Sequence, residues 1–97
     1  MELKKNILVV DDVEDIRHQL SKHLTRHNYN VLTASSIKTA KDIIVNEKIN
    51  CIILDLTLDN NSEFGGMDVF HFARSNSIKV VILSAYVFKS LKDNFSN

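Results

Sequence analysis

Three aspartates and a serine carry the chemistry that this sequence can do. Asp55 closes the run Cys51-Ile52-Ile53-Leu54-Asp55, and Asp11 and Asp12 close Ile7-Leu8-Val9-Val10-Asp11-Asp12. A run that is apolar on both faces suits a central parallel strand buried on both sides. Open α/β sheets bind their ligands at the carboxyl ends of the strands. If these two strands are parallel neighbours, the three carboxylates meet on one rim. Crowded carboxylates disfavour one another's charged form unless a cation is present. The donors on offer are all oxygens, with no Cys–His set, so the natural partner is a hard cation, Mg2+ by preference. A carboxylate beside such an ion can act as a nucleophile in phosphoryl transfer, forming an aspartyl phosphate, and Asp55 is the candidate. Ser84 follows a second continuous apolar run and is placed to donate a hydrogen bond to a phosphoryl oxygen on Asp55.

The elements that must position these groups alternate along the chain. Residues 6 to 10 read as a first strand, and Asp11 and Asp12 can help to start the helix after it by accepting from free N–H groups. That helix is expected over 14 to 27, with Val13, Ile16, Leu20 and Leu24 on one stripe. Asn28 follows, a residue that tolerates the left-handed conformation at a helix end. Residues 29 to 34 read as a second strand. Ser35 or Ser36 caps a second helix with Ile37, Ala40, Ile43 and Ile44 along one face. The third strand covers 51 to 55, and a long polar loop runs from 56 to 65. A third helix is expected over 66 to 75 with Met67, Phe70 and Ala73 on one side, a fourth strand over 78 to 83, and a last helix over 86 to 94. Strictly alternating strands and helices give an α/β fold, a doubly wound parallel sheet with helices on both faces and right-handed crossovers.

Composition narrows the function. The chain has 97 residues, 12 basic and 12 acidic side chains and no net charge. That length makes one small domain, and the absence of a basic stripe argues against direct binding to nucleic acid. No apolar run approaches the length of a membrane span, and the stretch after Lys4 and Lys5 is too short and ends too acidic for a signal peptide, so the expected location is the cytoplasm. Cys51, the one cysteine, reads as a small hydrophobe in a buried strand. His23 and His27 could hold a metal as a pair but fit better as residues favoured near a helix C-terminus. Lys38, Lys41 and Lys48 read as a solvated face. No G-x-G-x-x-G follows the first strand, which argues against a dinucleotide site.

Taken together, the Asp11-Asp12 pair after strand one, Asp55 after strand three and the Ser84-Ala85 pair after strand four resemble the response-regulator receiver domain of two-component signalling. The resemblance runs from residue 5 to about 88. It implies a flavodoxin-like receiver fold and a phosphoacceptor role for Asp55, with a histidine kinase or a phosphotransfer protein as the donor. It further implies that Asp12 and Asp55 bind Mg2+ directly, that Asp11 binds it through water, and that the backbone carbonyl of Thr57 completes the protein's share. Ser84 would contact the phosphoryl group. Such a chain is a signalling receiver and not a dedicated enzyme.

The sequence departs from that family's pattern in places. The loop after Asp55 lacks the usual Met-Pro step and looks longer. Residues 1 to 97 are expected to be a single receiver domain, short at the C-terminal end and without strand five, its lysine and its aromatic switch residue. The expected strand order is then 2-1-3-4, with strand four as an apolar edge and the stripe of helix one partly uncovered. Both exposures favour a homodimer through strand four or helix one. The alternative function is a degenerate receiver that no longer switches and serves as an interaction or dimerisation module.

Overall fold

The computed structural model describes residues 4–55 and 65–83. They form seven elements: β1 (Asn6–Val10), α1 (Glu14–Arg26), β2 (Asn30–Ala34), α2 (Ile37–Asn46), β3 (Cys51–Leu54), α3 (Gly65–Ser75) and β4 (Lys79–Ile82). The strands make one parallel sheet in the order β2-β1-β3-β4. This is the alternating, doubly wound α/β arrangement that the hydrophobic pattern calls for. The expected helix over 86 to 94 lies outside the described residues.

The two central strands read as continuous apolar runs because both of their faces are covered. Leu8, Val10, Ile52 and Leu54 pack in one cluster with Ala34 of β2, Ala40 and Ile44 of α2, and Val69 and Ala73 of α3. Fully burying a Leu, Ile or Val side chain stabilises the fold by roughly 1.5–3 kcal/mol, so this layer supplies most of the driving force. The buried line of α3 is Gly66, Val69 and Ala73, not Met67, Phe70 and Ala73 as the spacing suggests; Phe70 packs at the margin. Lys41 is no freely solvated lysine. Its Nζ lies 2.6 Å from an Asp68 carboxylate oxygen and 5.6 Å from the Phe72 ring centroid, tying α2 to α3. Asp68 is exposed and Lys41 half-buried, so the ion pair adds little on its own.

α1 lies against β1 and β2 and contributes no fully buried residue. Its stripe of Ile16, Leu20 and Leu24 is half-buried, while Val13 is 45% exposed. At the sheet edge, Val81 and Ile82 of β4 are 48% and 43% exposed. Cys51, expected to be buried, is only half-buried at the start of β3.

Two helix ends set the chain direction into the next strand. Asn28 has φ 72°, with its N–H donating to the Thr25 carbonyl and the Tyr29 N–H donating to the Leu24 carbonyl. Ser77, at φ 61°, closes α3 in the same way through Ser77 N–H to Arg74 O and Ile78 N–H to Ala73 O. Both are left-handed C-terminal caps of the Schellman type. At the start of α2, Ser36 is the cap: its Oγ accepts from the Thr39 N–H at 3.2 Å.

Candidate functional site

β1 and β3 pair in register from Ile7 opposite Cys51 to Val10 opposite Leu54. Backbone pairing runs one residue further. The Asp11 N–H donates to the Ala34 carbonyl at 3.1 Å, and the Asp55 N–H donates to the Val10 carbonyl at 3.0 Å. Asp11 and Asp55 therefore leave the sheet side by side. One ligand oxygen from each of Asp11, Asp12 and Asp55 lies within 4.8 Å of the others. Asp11 and Asp55 are 4% and 7% exposed, and Asp12 is half-buried.

The loop that leads into α1 is held by the same residue. Asp11 Oδ1 accepts from the Val13 N–H at 2.8 Å, fixing the N-cap residue of α1, whose own side chain caps none of the first-turn donors. The helix answers through Arg17, whose Nη1 donates to the Asp11 carbonyl at 2.7 Å. Arg17 is the residue that sequence reasoning missed. Its one local signal is its place a helical turn after Val13, on the side facing the acidic pair.

Burial pushes the Asp11 carboxyl above the usual carboxylate range. The Val13 N–H opposes the rise, the charges of Asp55 and Asp12 add to it, and Arg17 offsets part of it. Like charges so close in a poorly solvated corner are what a small dication relieves, and an all-oxygen donor set suits a hard ion such as Mg2+. The donors present fit that ion.

Of the residues singled out from sequence, Asp11, Asp12 and Asp55 converge. Thr57 and Ser84 lie outside the described residues. The rings of His23 and His27 sit with centroids 4.6 Å apart at the exposed end of α1, and no third ligand joins them among the described residues. Lys79 pairs with Cys51 at the start of the strands, at the opposite end of the sheet from the aspartates.

Comparison with known proteins gives the same fold. Residues 7–94 match the family model of the response regulator receiver domain. The chain is 37% identical over 79 residues to the uncharacterized transcriptional regulatory protein YrkP of Bacillus subtilis, covering 81% of this chain and 33% of that protein. It is 36% identical over 81 residues to the alkaline phosphatase synthesis transcriptional regulatory protein PhoP of the same organism, covering 84% and 32%. The chain thus spans about a third of the length of these relatives. Among solved structures, the response regulator TrrA from Thermotoga maritima in complex with Mg2+-BeF superposes with a TM-score of 0.75 at 30% identity, over 84% of this chain and 70% of that one. A Burkholderia pseudomallei response regulator with a phosphorylated aspartate, a calcium ion and citrate gives a TM-score of 0.73 at 28% identity, over 86% and 48%.

Proposed function

The chain belongs to the response regulator receiver domain family, and from that premise we propose that Asp55 is the phosphoacceptor of this two-component signalling receiver, with Asp11 and Asp12 as the metal-binding partners beside it. The observation that carries the reading is the convergence of three carboxylates within 4.8 Å at the carboxyl ends of β1 and β3. One related receiver was solved in complex with Mg2+-BeF and another with a phosphorylated aspartate and a calcium ion, which supports a metal- and phosphoryl-binding role for the acidic rim here.

In this proposal Asp12 and Asp55 would hold Mg2+ directly, Asp11 through water, with the Thr57 carbonyl as the remaining protein ligand. The ion would supply positive charge against the phosphoryl oxygens. An oxygen of Asp55 attacks the phosphorus of a phosphohistidine on a histidine kinase or phosphotransfer protein. The P–N bond breaks as the P–O bond forms, and the imidazole leaves. Ser84, as the family resemblance implies, would donate its hydroxyl to a phosphoryl oxygen of the product. Asp11, fixed by the Val13 N–H and by Arg17, keeps the loop in place while this happens. The output is a changed protein surface, consistent with a signalling domain.

Residues 1 to 97 are proposed to act as one receiver unit. No described helix is long and apolar enough to cross a membrane. The cytoplasm, where the donor kinase presents its phosphohistidine, is the proposed place of action. The exposed Val81 and Ile82 of β4, with the half-buried stripe of α1, support self-association of two chains through β4 or α1. Sedimentation showing a monomer at micromolar concentration would remove that part of the proposal.

Incubation with acetyl phosphate or phosphoramidate and Mg2+, followed by intact mass measurement, tests the central claim. The expected result is one phosphoryl adduct that is absent in Asp55→Asn. An unmodified mass at every dose would favour a receiver that serves only as an interaction module.

A further inference from the structure

The opposite rim of the sheet carries a second polar constellation, chemically the inverse of the first. Asn6 of β1 pairs in register with Asn30 of β2, and Asn50 immediately precedes Cys51, the partner of Ile7. Three asparagines therefore stand on one row across three strands. They are linked: Asn6 N–H donates to Asn50 Oδ1 at 2.8 Å, Asn6 Nδ2 donates to the Lys48 carbonyl at 2.6 Å, and Asn30 Nδ2 donates to Asn6 Oδ1 at 3.2 Å. This row forms one side of an open cavity of about 400 Å³, whose other lining residues are Lys4, Lys5 and Lys48.

Among the described residues no acidic side chain lines the cavity, and none of these lysines is in an ion pair. The plain alternative is that the lysines offset the negative C-terminal ends of helices at this rim. A helix end carries roughly half an elementary charge. The ends of α1 and α2, with Glu47 at the C-cap of α2 beside Lys48, thus amount to roughly two negative charges against three lysines. A positive excess remains. The lining also offers no apolar or aromatic side chain of the kind that anchors a protein partner. We propose that this cavity binds a small phosphate anion of high charge, of the pyrophosphate or triphosphate class, with Lys4, Lys5 and Lys48 contacting the anion and the asparagine row as its fixed polar floor.

The site lies across the sheet from the acidic rim, so the two are separable in one experiment. Inorganic pyrophosphate and inorganic triphosphate are titrated into the full chain in EDTA, with backbone and side-chain amide resonances followed by NMR. The expected result is saturable movement of the Lys5, Asn6, Asn30 and Asn50 signals at submillimolar concentration, with those of Asp11, Asp12 and Asp55 unmoved. Lys5→Gln and Lys48→Gln, both at exposed positions, are expected to weaken binding about tenfold each, which corresponds to ~1.4 kcal/mol. Added salt weakens it further, since exposed charges are screened. Unmoved signals at millimolar anion, or equal affinity in the folded lysine variants, would overturn the proposal. Movement with a polyglutamate peptide but not with either phosphate would overturn it in favour of an acidic protein partner.

Discussion

The two rims of one sheet solve opposite problems. At the carboxyl ends of β1 and β3, Asp11, Asp12 and Asp55 crowd like charges into a corner where two of them are almost fully buried. At the amino ends, Asn30, Asn6 and Asn50 bond largely to one another and to the backbone. Neutral amides carry both donors and acceptors, so a row of them can satisfy itself. Ionised carboxylates only accept, so a cluster of them needs donors or a cation from elsewhere. The difference teaches which rim gains from a cation: on the proposed reading the acidic one, where a dication would offset the crowded negative charge.

The sharpest way to break this contrast is to neutralise the acidic rim. Asp55→Asn is expected to abolish phosphoryl incorporation from a small-molecule donor entirely, as read by intact mass, while Asn50→Asp at the other rim leaves incorporation in place. Next in size is the response to Mg2+. Millimolar Mg2+ is expected to raise the melting temperature of the native chain, because a ligand that binds only the folded state stabilises it. Asp12→Asn is expected to weaken Mg2+ binding about tenfold, ~1.4 kcal/mol, with the melting shift shrinking to match. If Mg2+ shifted the asparagine resonances as much as those of the aspartates, the division of labour between the rims would fail.

A smaller effect tests the amide rim. Asn6→Ala removes two side-chain hydrogen bonds and is expected to cost about 1–2 kcal/mol in urea unfolding, with no change in Mg2+ affinity. The smallest effect concerns Cys51, at the same end of the sheet. Burial pushes its thiol up, and the Lys79 charge pulls it part of the way back. A thiol raised in the folded state ionises first in the unfolded one, so folding stability falls as pH climbs past the ordinary thiol value. Cys51→Ser is expected to flatten that alkaline decline, and Cys51 itself is expected to alkylate slowly at neutral pH.

Much of this architecture was legible from local pattern. The apolar runs ending in Asp11 and Asp55 marked the central strands because burial on both faces leaves no alternation to read. Asn28 announced the end of α1 because asparagine tolerates φ near its observed 72°. Ser77, which does the same for α3, gave no such signal, because serine is not a residue that favours that conformation. The buried line of α3 was misread because Val69 and Phe70 are both apolar, and which of them turns inward depends on how α3 sits against α2 and β3. Cys51 looked buried from its strand, but its exposure depends on what lies over the sheet at that end.

The sequence by itself determined which residues form strands and helices, which residue types end the central strands, and that a cluster of oxygen ligands could form. Those properties are local, set by side-chain size, polarity and period. Only the tertiary structure decided that Asp11 and Asp55, 44 positions apart, leave adjacent strands on one row, with Asp12 beside them. It alone brought Arg17 to the Asp11 carbonyl and lined up Asn30, Asn6 and Asn50 at the far rim. Parallel pairing joins segments distant in the chain, and its register is set by burial summed over the whole sheet, which no short stretch of sequence contains.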